Sequence, residues 1–263
     1  MPITRSVGGF TVTALSDGAG PYPGTRASAF ADATDAQWAA ADAADPGARS
    51  ADGEWWLTFR SYAIRFSDGP VTLVDAGFGP AEGLAADWTP VPGRLPDELA
   101  AAGIDPGDVS TIVLTHLHND HMGWAVPRDS PFTAAEVVAQ RADVDVYTAN
   151  RHEAGQYDLL IEPLRAQGRL RVVSGDVELA RGVGIVSTPG HTPGHQSVLV
   201  ADGDDQLLIT GDLLVHAIQL LDPSLAYAGD GDAALARATR ERVLARRAAL
   251  AVSHLGTAFH DPL

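Results

Sequence analysis

His116-Leu117-His118-Asn119-Asp120-His121 places three imidazoles and one carboxylate within six residues. Nitrogen and oxygen donors of this kind suit zinc and related divalent ions. The run before it, Val109-Ser110-Thr111-Ile112-Val113-Leu114-Thr115, is apolar and β-branched and reads as a buried strand. Asn119-Asp120 then supplies turn chemistry. The donors therefore sit on a loop at the C-terminal end of a rigid strand. The chain has only nine histidines, so three in one short loop are poorly explained as solvated surface residues.

One loop cannot aim enough ligands at a metal pair. Working outward, Thr188-Pro189-Gly190-His191-Thr192-Pro193-Gly194-His195 follows a short strand, Gly184-Ile185-Val186-Ser187. Its Pro and Gly residues make a stiff turn that presents a side chain. Leu207-Leu208-Ile209-Thr210-Gly211-Asp212 delivers a carboxylate just past another apolar strand, and Ala249-Leu250-Ala251-Val252-Ser253 delivers His254 in the same way. Four loops, each leaving a strand, each carry a donor.

In this order the motifs His116-x-His118-x-Asp120-His121, Thr188-Pro189-Gly190-His191, Gly211-Asp212 and Ser253-His254 resemble those of the metallo-β-lactamase superfamily. Leu73-Val74-Asp75-Ala76-Gly77 fits that superfamily's second strand and the turn after it. The resemblance implies an α/β (α+β) fold, a four-layer αββα sandwich, with residues 1–263 as a single domain. It implies that His116, His118 and His191 hold one metal, that Asp120, His121 and His254 hold a second, and that Asp212 bridges them. The cofactor implied is two divalent ions per chain. Zinc is the expected ion, and manganese, iron or cobalt also suit such a donor set. Two metals roughly 3.5–4 Å apart can share a hydroxide and bring the pKa of its parent water towards neutrality. That hydroxide would attack a carbonyl carbon or a phosphorus. Asp120 and Asp212 are the implied catalytic carboxylates, Asp120 also orienting the nucleophile or taking its proton.

A narrower resemblance follows the bridging residue. Gly211-Asp212-Leu213-Leu214-Val215-His216-Ala217-Ile218-Gln219, with Asp222-Pro223-Ser224, is similar to the branch holding methyl parathion hydrolases, lactonases and esterases. The expected activity is therefore metal-dependent hydrolysis of a small ester, lactone or phosphotriester, ahead of a thioester or β-lactam. The alternative is a single-iron persulfide dioxygenase, which uses a subset of these ligands; the complete set argues for the dinuclear hydrolase.

Around the ligands, Asp75 is expected to hydrogen-bond a ligating histidine, and His195 to fix the loop that aims His191. Met122, Trp124, His216 and Ile218 are candidates for the substrate pocket. Core packing competes as the role of Met122 and Trp124, and a structural hydrogen bond as that of His216. Trp38, Trp55 and Trp56 either cover the mouth of the site or pack down the Ala-, Asp-, Gly- and Pro-rich segment 19–56. His152 and His260 read as ordinary surface or packing histidines.

The formal net charge is −16. A surface this acidic repels polyanions and anionic membranes, which disfavours nucleic-acid partners and leaves a small molecule as the expected one. No apolar stretch approaches the ~18 residues of a membrane span. Residues 1–9 carry no long apolar segment, so the expected compartment is the cytoplasm. A homodimer is compatible with the chain, which does not specify an oligomeric state. With no cysteine, disulfides and thiolate ligands are excluded. All 18 basic residues are Arg, a usage that fits a GC-rich bacterial genome better than a functional choice.

The patterning predicts strands at 10–15, 57–66, 71–75, 144–147, 169–173, 184–187, 197–201 and 206–210. It predicts helices at 34–40, 96–103, 134–140 and 232–247, and a helix over 150–167 broken by Gly155 and Pro163. Metal-replete protein is expected to bind two equivalents of divalent metal per chain by elemental analysis. Asp212→Ala is expected to lose more than one site's worth of function, because a bridge serves both ions; a wild-type content of one equivalent would sink the dinuclear site.

Overall fold

Leu207 and Ile209 face one apolar cluster, and Leu208 between them faces another. The same alternation divides Leu250 from Ala249 and Ala251. In the other sheet it divides Ile112 from Val113 and Val137 from Val138. Successive strand residues point to opposite faces, so strands apolar on both sides must be covered on both. That requirement produces four layers.

The computed structural model describes residues 2–85, 92–151 and 155–262. The first sheet holds β1 (Ile3–Val7), β2 (Phe10–Pro21), β3 (Trp56–Phe66), β4 (Val71–Val74), β5 (Val109–Val113), β6 (Glu136–Gln140) and β7 (Leu170–Val173), in that order. The second holds β8 (Val177–Ala180), β9 (Val183–Ser187), β10 (Gln196–Asp202), β11 (Asp205–Ile209), β12 (Ala249–Ala251) and β13 (Phe259–His260), again neighbour to neighbour. The helices are α1 (Arg26–Ala29), α2 (Asp35–Ala44), α3 (Leu95–Ala101), α4 (Asn119–Met122), α5 (Arg141–Ala149), α6 (Glu162–Ala166), α7 (Ile218–Leu221) and α8 (Ala233–Leu244). Val12, Ile64, Val113, Val198 and Ile209 fill the space between the sheets. Leu95, Leu99, Val144 and Leu164 bring α3, α5 and α6 onto the outer face of the first sheet. Ala41, Ile218 and Val243 bring α2, α7 and α8 onto the second. This is the αββα sandwich. Strands β4 to β7 are mutually parallel, as are β11 and β12, so the loops at their C-terminal ends gather at one edge. No helix among the described residues is long and apolar enough to cross a membrane.

Four local expectations are corrected. Residues 134–140 are not a helix: Glu136–Gln140 is the strand between β5 and β7, and pairing on both edges overrides the helix propensity of Ala, Glu and Gln. Residues 144–147 are not a strand but part of α5, with Val144 buried and Val146 exposed. The strand at 10–15 continues to Pro21 through an irregularity between Ser16 and Gly18. There Asp17 turns inward. Its carboxylate accepts Phe78 N at 2.6 Å, Leu95 N at 2.6 Å and Trp124 Nε1 at 3.2 Å. Of the helix expected over 150–167, residues 152–154 lie outside the described residues, and there is no break at Pro163: a π-helical turn, Tyr157–Ile161, runs directly into α6 with Pro163 in its first turn. His152 lies outside the described residues.

Asp17→Ala removes one acceptor from three donors. At about 1–3 kcal/mol for each unsatisfied buried group, and with water recovering part of the loss, unfolding free energy is expected to fall by about 3 kcal/mol in denaturant titration. A change under ~1 kcal/mol would show that water replaces the carboxylate fully.

Candidate metal centre

Each donor leaves the end of a strand. His116, His118, Asp120 and His121 follow β5, His191 follows β9, Asp212 follows β11 and His254 follows β12. Two backbone devices hold the loops close. Gly123 lies so near the turn after β4 that a Cβ there would meet Phe78 O at 1.9 Å. Gly211 sits at φ 52°, and a Cβ would crowd Thr115 Cβ at 2.7 Å and His195 Nε2 at 2.9 Å.

The donors form two groups. His116, His118, His191 and Asp212 converge in one; Asp120, His121 and His254 converge in the other. In the first, His118 Nδ1 lies 2.9 Å from His116 Nε2 and 3.1 Å from His191 Nε2. In the second, His121 Nε2 and His254 Nε2 are 3.3 Å apart. Ligands about 2.0–2.1 Å from one tetrahedral zinc stand roughly 3.3 Å from each other, so both groups have the spacing that a shared ion requires. Asp212 joins them. Its Oδ2 is 3.3 Å from His191 Nε2 and 3.8 Å from His116 Nε2, while its Oδ1 is 3.0 Å from His254 Nε2 and 3.2 Å from His121 Nε2. Oδ1 is buried with no hydrogen-bond partner, an orphan that a cation would satisfy. Asp120 Oδ2 lies 3.5 Å from His121 Nε2 and 3.6 Å from His254 Nε2.

The far nitrogens of several of these rings are also engaged. His121 Nδ1 donates to Asp75 Oδ2 at 2.8 Å and His254 Nδ1 to Thr58 O at 2.9 Å. Asp75 also accepts Thr115 N at 2.7 Å and Thr115 Oγ1 at 2.9 Å, and that hydroxyl faces His116 Nδ1 at 3.1 Å. One carboxylate thus orients two rings. Asp75 does so from φ 60°, a left-handed conformation that costs a non-glycine residue energy and is kept where the surroundings over-determine it. His195 reaches beyond its own loop: its Nδ1 faces Thr188 O at 3.1 Å within that loop, and its Nε2 accepts the backbone N–H of Asp212 at 3.0 Å. It holds the Asp212 loop as well as its own.

A cavity of about 300 Å³ opens onto the donors. Tyr22, Trp55, Leu57, Phe59, Val215 and Tyr227 give it an apolar wall, and Asn119 and Gln156 a polar edge. The pocket candidates Met122, Trp124, His216 and Ile218 do not line it. Met122 is fully buried in the core outside the first sheet, and Trp124 packs on that core while donating to Asp17. Ile218 is buried beneath the second sheet's helices. His216 lies among Trp38, Trp55 and Phe30, with its Nδ1 accepting Ile218 N at 3.1 Å. Nearness in sequence to a ligand did not bring these side chains to its face. Of these three tryptophans, Trp55 lines the cavity, Trp38 packs against Phe30, and Trp56 is exposed. His260 bonds Thr257 O. Tyr22, Tyr227 and Gln156 escape a reading of the sequence because no motif marks them; of the three, only Tyr22 lies in a segment, 19–56, weighed above as a cover for the mouth of the site.

The metallo-beta-lactamase superfamily pattern matches residues 60–254. The chain belongs to the metallo-β-lactamase superfamily. An N-acyl homoserine lactonase of Bacillus cereus is 28% identical over 195 residues, covering 68% of this chain and 73% of that relative. Other curated lactonase relatives match over about half of their own length. Among solved structures, the hydrolase AbOPH in the β-lactamase superfamily superimposes with a TM-score of 0.79 at 23% identity, covering 100% of this chain and 97% of its own. The dizinc quorum-quenching lactonase AidC, with its product N-hexanoyl-L-homoserine, gives 0.76 at 21% identity, covering 96% and 90%.

The two donor groups differ in charge. Burial opposes a proton on His121, but the carboxylates of Asp212, Asp120 and Asp75 outweigh it and hold that imidazole well above its usual range. His254 is raised against burial by Asp212 and Asp120. His116 moves the other way, held well down by burial and by His121 and His118, and burial with His191 brings His118 down to about 4. A raised imidazole stays protonated until pH passes its pKa, so a cation entering the His121–His254 group at neutral pH must displace protons; His116 and His118 are already neutral. Zinc calorimetry of metal-free protein in buffers of different ionisation enthalpy is expected to show proton release for one equivalent and much less for the other. Equal release would contradict this asymmetry.

Proposed function

We propose that this chain is a dinuclear metal-dependent hydrolase that opens lactones, with N-acyl homoserine lactones as the substrate class, and that residues 1–263 act as one domain. The observation that carries it is Asp212, whose two oxygens each face a different buried donor group. His116, His118 and His191 would hold one divalent ion, and Asp120, His121 and His254 the other. Zinc is the ion favoured by the donor set and spacing. Bound there, two divalent cations supply Lewis acidity towards a carbonyl oxygen and acidify water. A single-iron oxygenase needs only one such group, and here the second is as buried and as closely gathered as the first.

The chain's own residues supply the rest. Burial opposes ionisation of Asp120, but His121 and His254 keep its carboxyl below the usual range, so it is charged and able to take a proton from attacking water. Asp120 also lines the cavity, which lets it return that proton to the leaving ring oxygen. Water oxygen bonds to the lactone carbonyl carbon, the acyl–oxygen bond breaks, and the new acid ionises, releasing one proton per turnover. The wall of Tyr22, Leu57, Phe59, Val215 and Tyr227 suits an acyl chain. Gln156 Nε2 donates to Asn119 Oδ1 at 2.9 Å, and this polar edge suits an amide. The relatives named as N-acyl homoserine lactonases support the same substrate class.

Metal-quantified protein is expected to release acid from an N-acyl homoserine lactone with kcat/KM at least ~100-fold above its values for a phosphotriester and a β-lactam, and to lose that activity on chelation, since the bound ions would supply the Lewis acidity. Preference for either competitor would overturn the substrate assignment. Chelator-resistant turnover by metal-free protein would overturn the mechanism.

A further inference from the structure

Both donor groups have a buried carboxylate behind one imidazole. Behind His121 it is Asp75. Behind His191 it is Asp230, whose Oδ1 lies 3.2 Å from His191 Nδ1. The Asp230 side chain is only 1% exposed, and its second oxygen meets Arg240 Nη2 at 3.2 Å. Arg240, on α8, is equally buried. It donates Nε to Leu213 O at 2.9 Å, and Nη1 to Pro223 O at 2.9 Å and Leu225 O at 3.1 Å.

A buried ion pair is costly to desolvate, and apolar side chains of similar size often stabilise a fold as well or better. This pair has a further use. The guanidinium's fixed fork serves three carbonyls and a carboxylate at once. One of those carbonyls belongs to the residue after Asp212. The carboxylate's other oxygen faces His191, a geometry that puts the proton on Nδ1 and leaves the Nε2 lone pair facing His118 and Asp212. The turn carrying Asp230 is also stitched to the His191 loop: Gly231 N donates to His191 O at 3.0 Å and Asp232 N to Gly190 O at 2.9 Å. Asp230 N in turn donates to the carbonyl of Tyr227 at 3.0 Å, and the Tyr227 ring lies nearly parallel to that of His191.

We propose that Asp230, held by Arg240, is a positioning residue for the donor group containing His191, fixing that ring's tautomer and direction as Asp75 does for His121. The assignment rests on the two-metal proposal above. It makes α8 a support of the metal centre, although α8 contributes no ligand.

The test is a cobalt titration followed by visible absorption. In Asp230→Asn, which keeps the size of the side chain but removes the carboxylate, affinity for one of the two equivalents is expected to fall about 10–100-fold, with the absorption of that equivalent altered and the other unchanged. Asp75→Asn is expected to weaken the His121 equivalent more than the other, which it reaches only through Thr115 and His116, and Asp230→Glu to recover part of the loss. Equal weakening of both equivalents in Asp230→Asn, or no weakening, would overturn the proposal. Should Asp230→Asn not fold, the zinc-loaded wild-type chain decides: nitrogen-15 NMR of His191 is expected to show a protonated Nδ1, and a protonated Nε2 would overturn it. Lactone turnover enters neither readout, so the substrate assignment and the role of Asp230 fail separately.

Discussion

Asp212 sits as a buried carboxylate between two groups of imidazoles, and the rest of the centre is arranged around that one anion. Burial alone would push its carboxyl up, yet His254 and His121 hold it well below the usual range. Its position is not left to its own loop. The backbone N–H is held by His195, Gly211 beside it is packed against Thr115, and the carbonyl of Leu213 after it is held by Arg240. In the proposed dinuclear centre this carboxylate would have to satisfy two ions at once, so small errors in its position would be felt at both.

The edge where β4, β5, β11 and β12 end supplies the precision that such a bridge needs. Donors carried by strand ends inherit the rigidity of two sheets closed on a shared apolar layer. At this edge strain is tolerated in the left-handed Asp75, where a single carboxylate receives His121 and Thr115 together. The cost falls on a residue whose bonds determine the direction of two rings.

Much of this was legible in the sequence because metal ligation needs particular residue types at particular strand ends. His116 to His121, His191, Asp212 and His254 are all readable in that way, and so were the strands before them. Their supports were not. Asp230 and Arg240 belong to a turn and an ordinary helix, with no spacing that marks a carboxylate behind a histidine 39 residues away. Met122 and Ile218 show the converse: both are near ligands in sequence, and both point into the core because the local turn directs them there. The exchange of helix and strand at 134–149 has a similar origin. Glu136 to Gln140 has helix-forming composition, but the gap between β5 and β7 can be closed only by a strand.

The segment 19–56 does more than wall the cavity. Asp45, at the end of α2, accepts Gly256 N at 2.7 Å and Thr257 N at 3.1 Å, directly after His254. Arg60, on the strand that follows, holds the carbonyls of Leu255 and Gly256. The stretch that supplies Tyr22 and Trp55 to the pocket therefore also anchors a metal-ligand loop. Specificity and metal retention are not separate modules in this chain. A transplanted 19–56 segment, chosen to reshape the pocket, would have to bring its own equivalent of Asp45 or leave the His254 loop with Arg60 but without its second anchor.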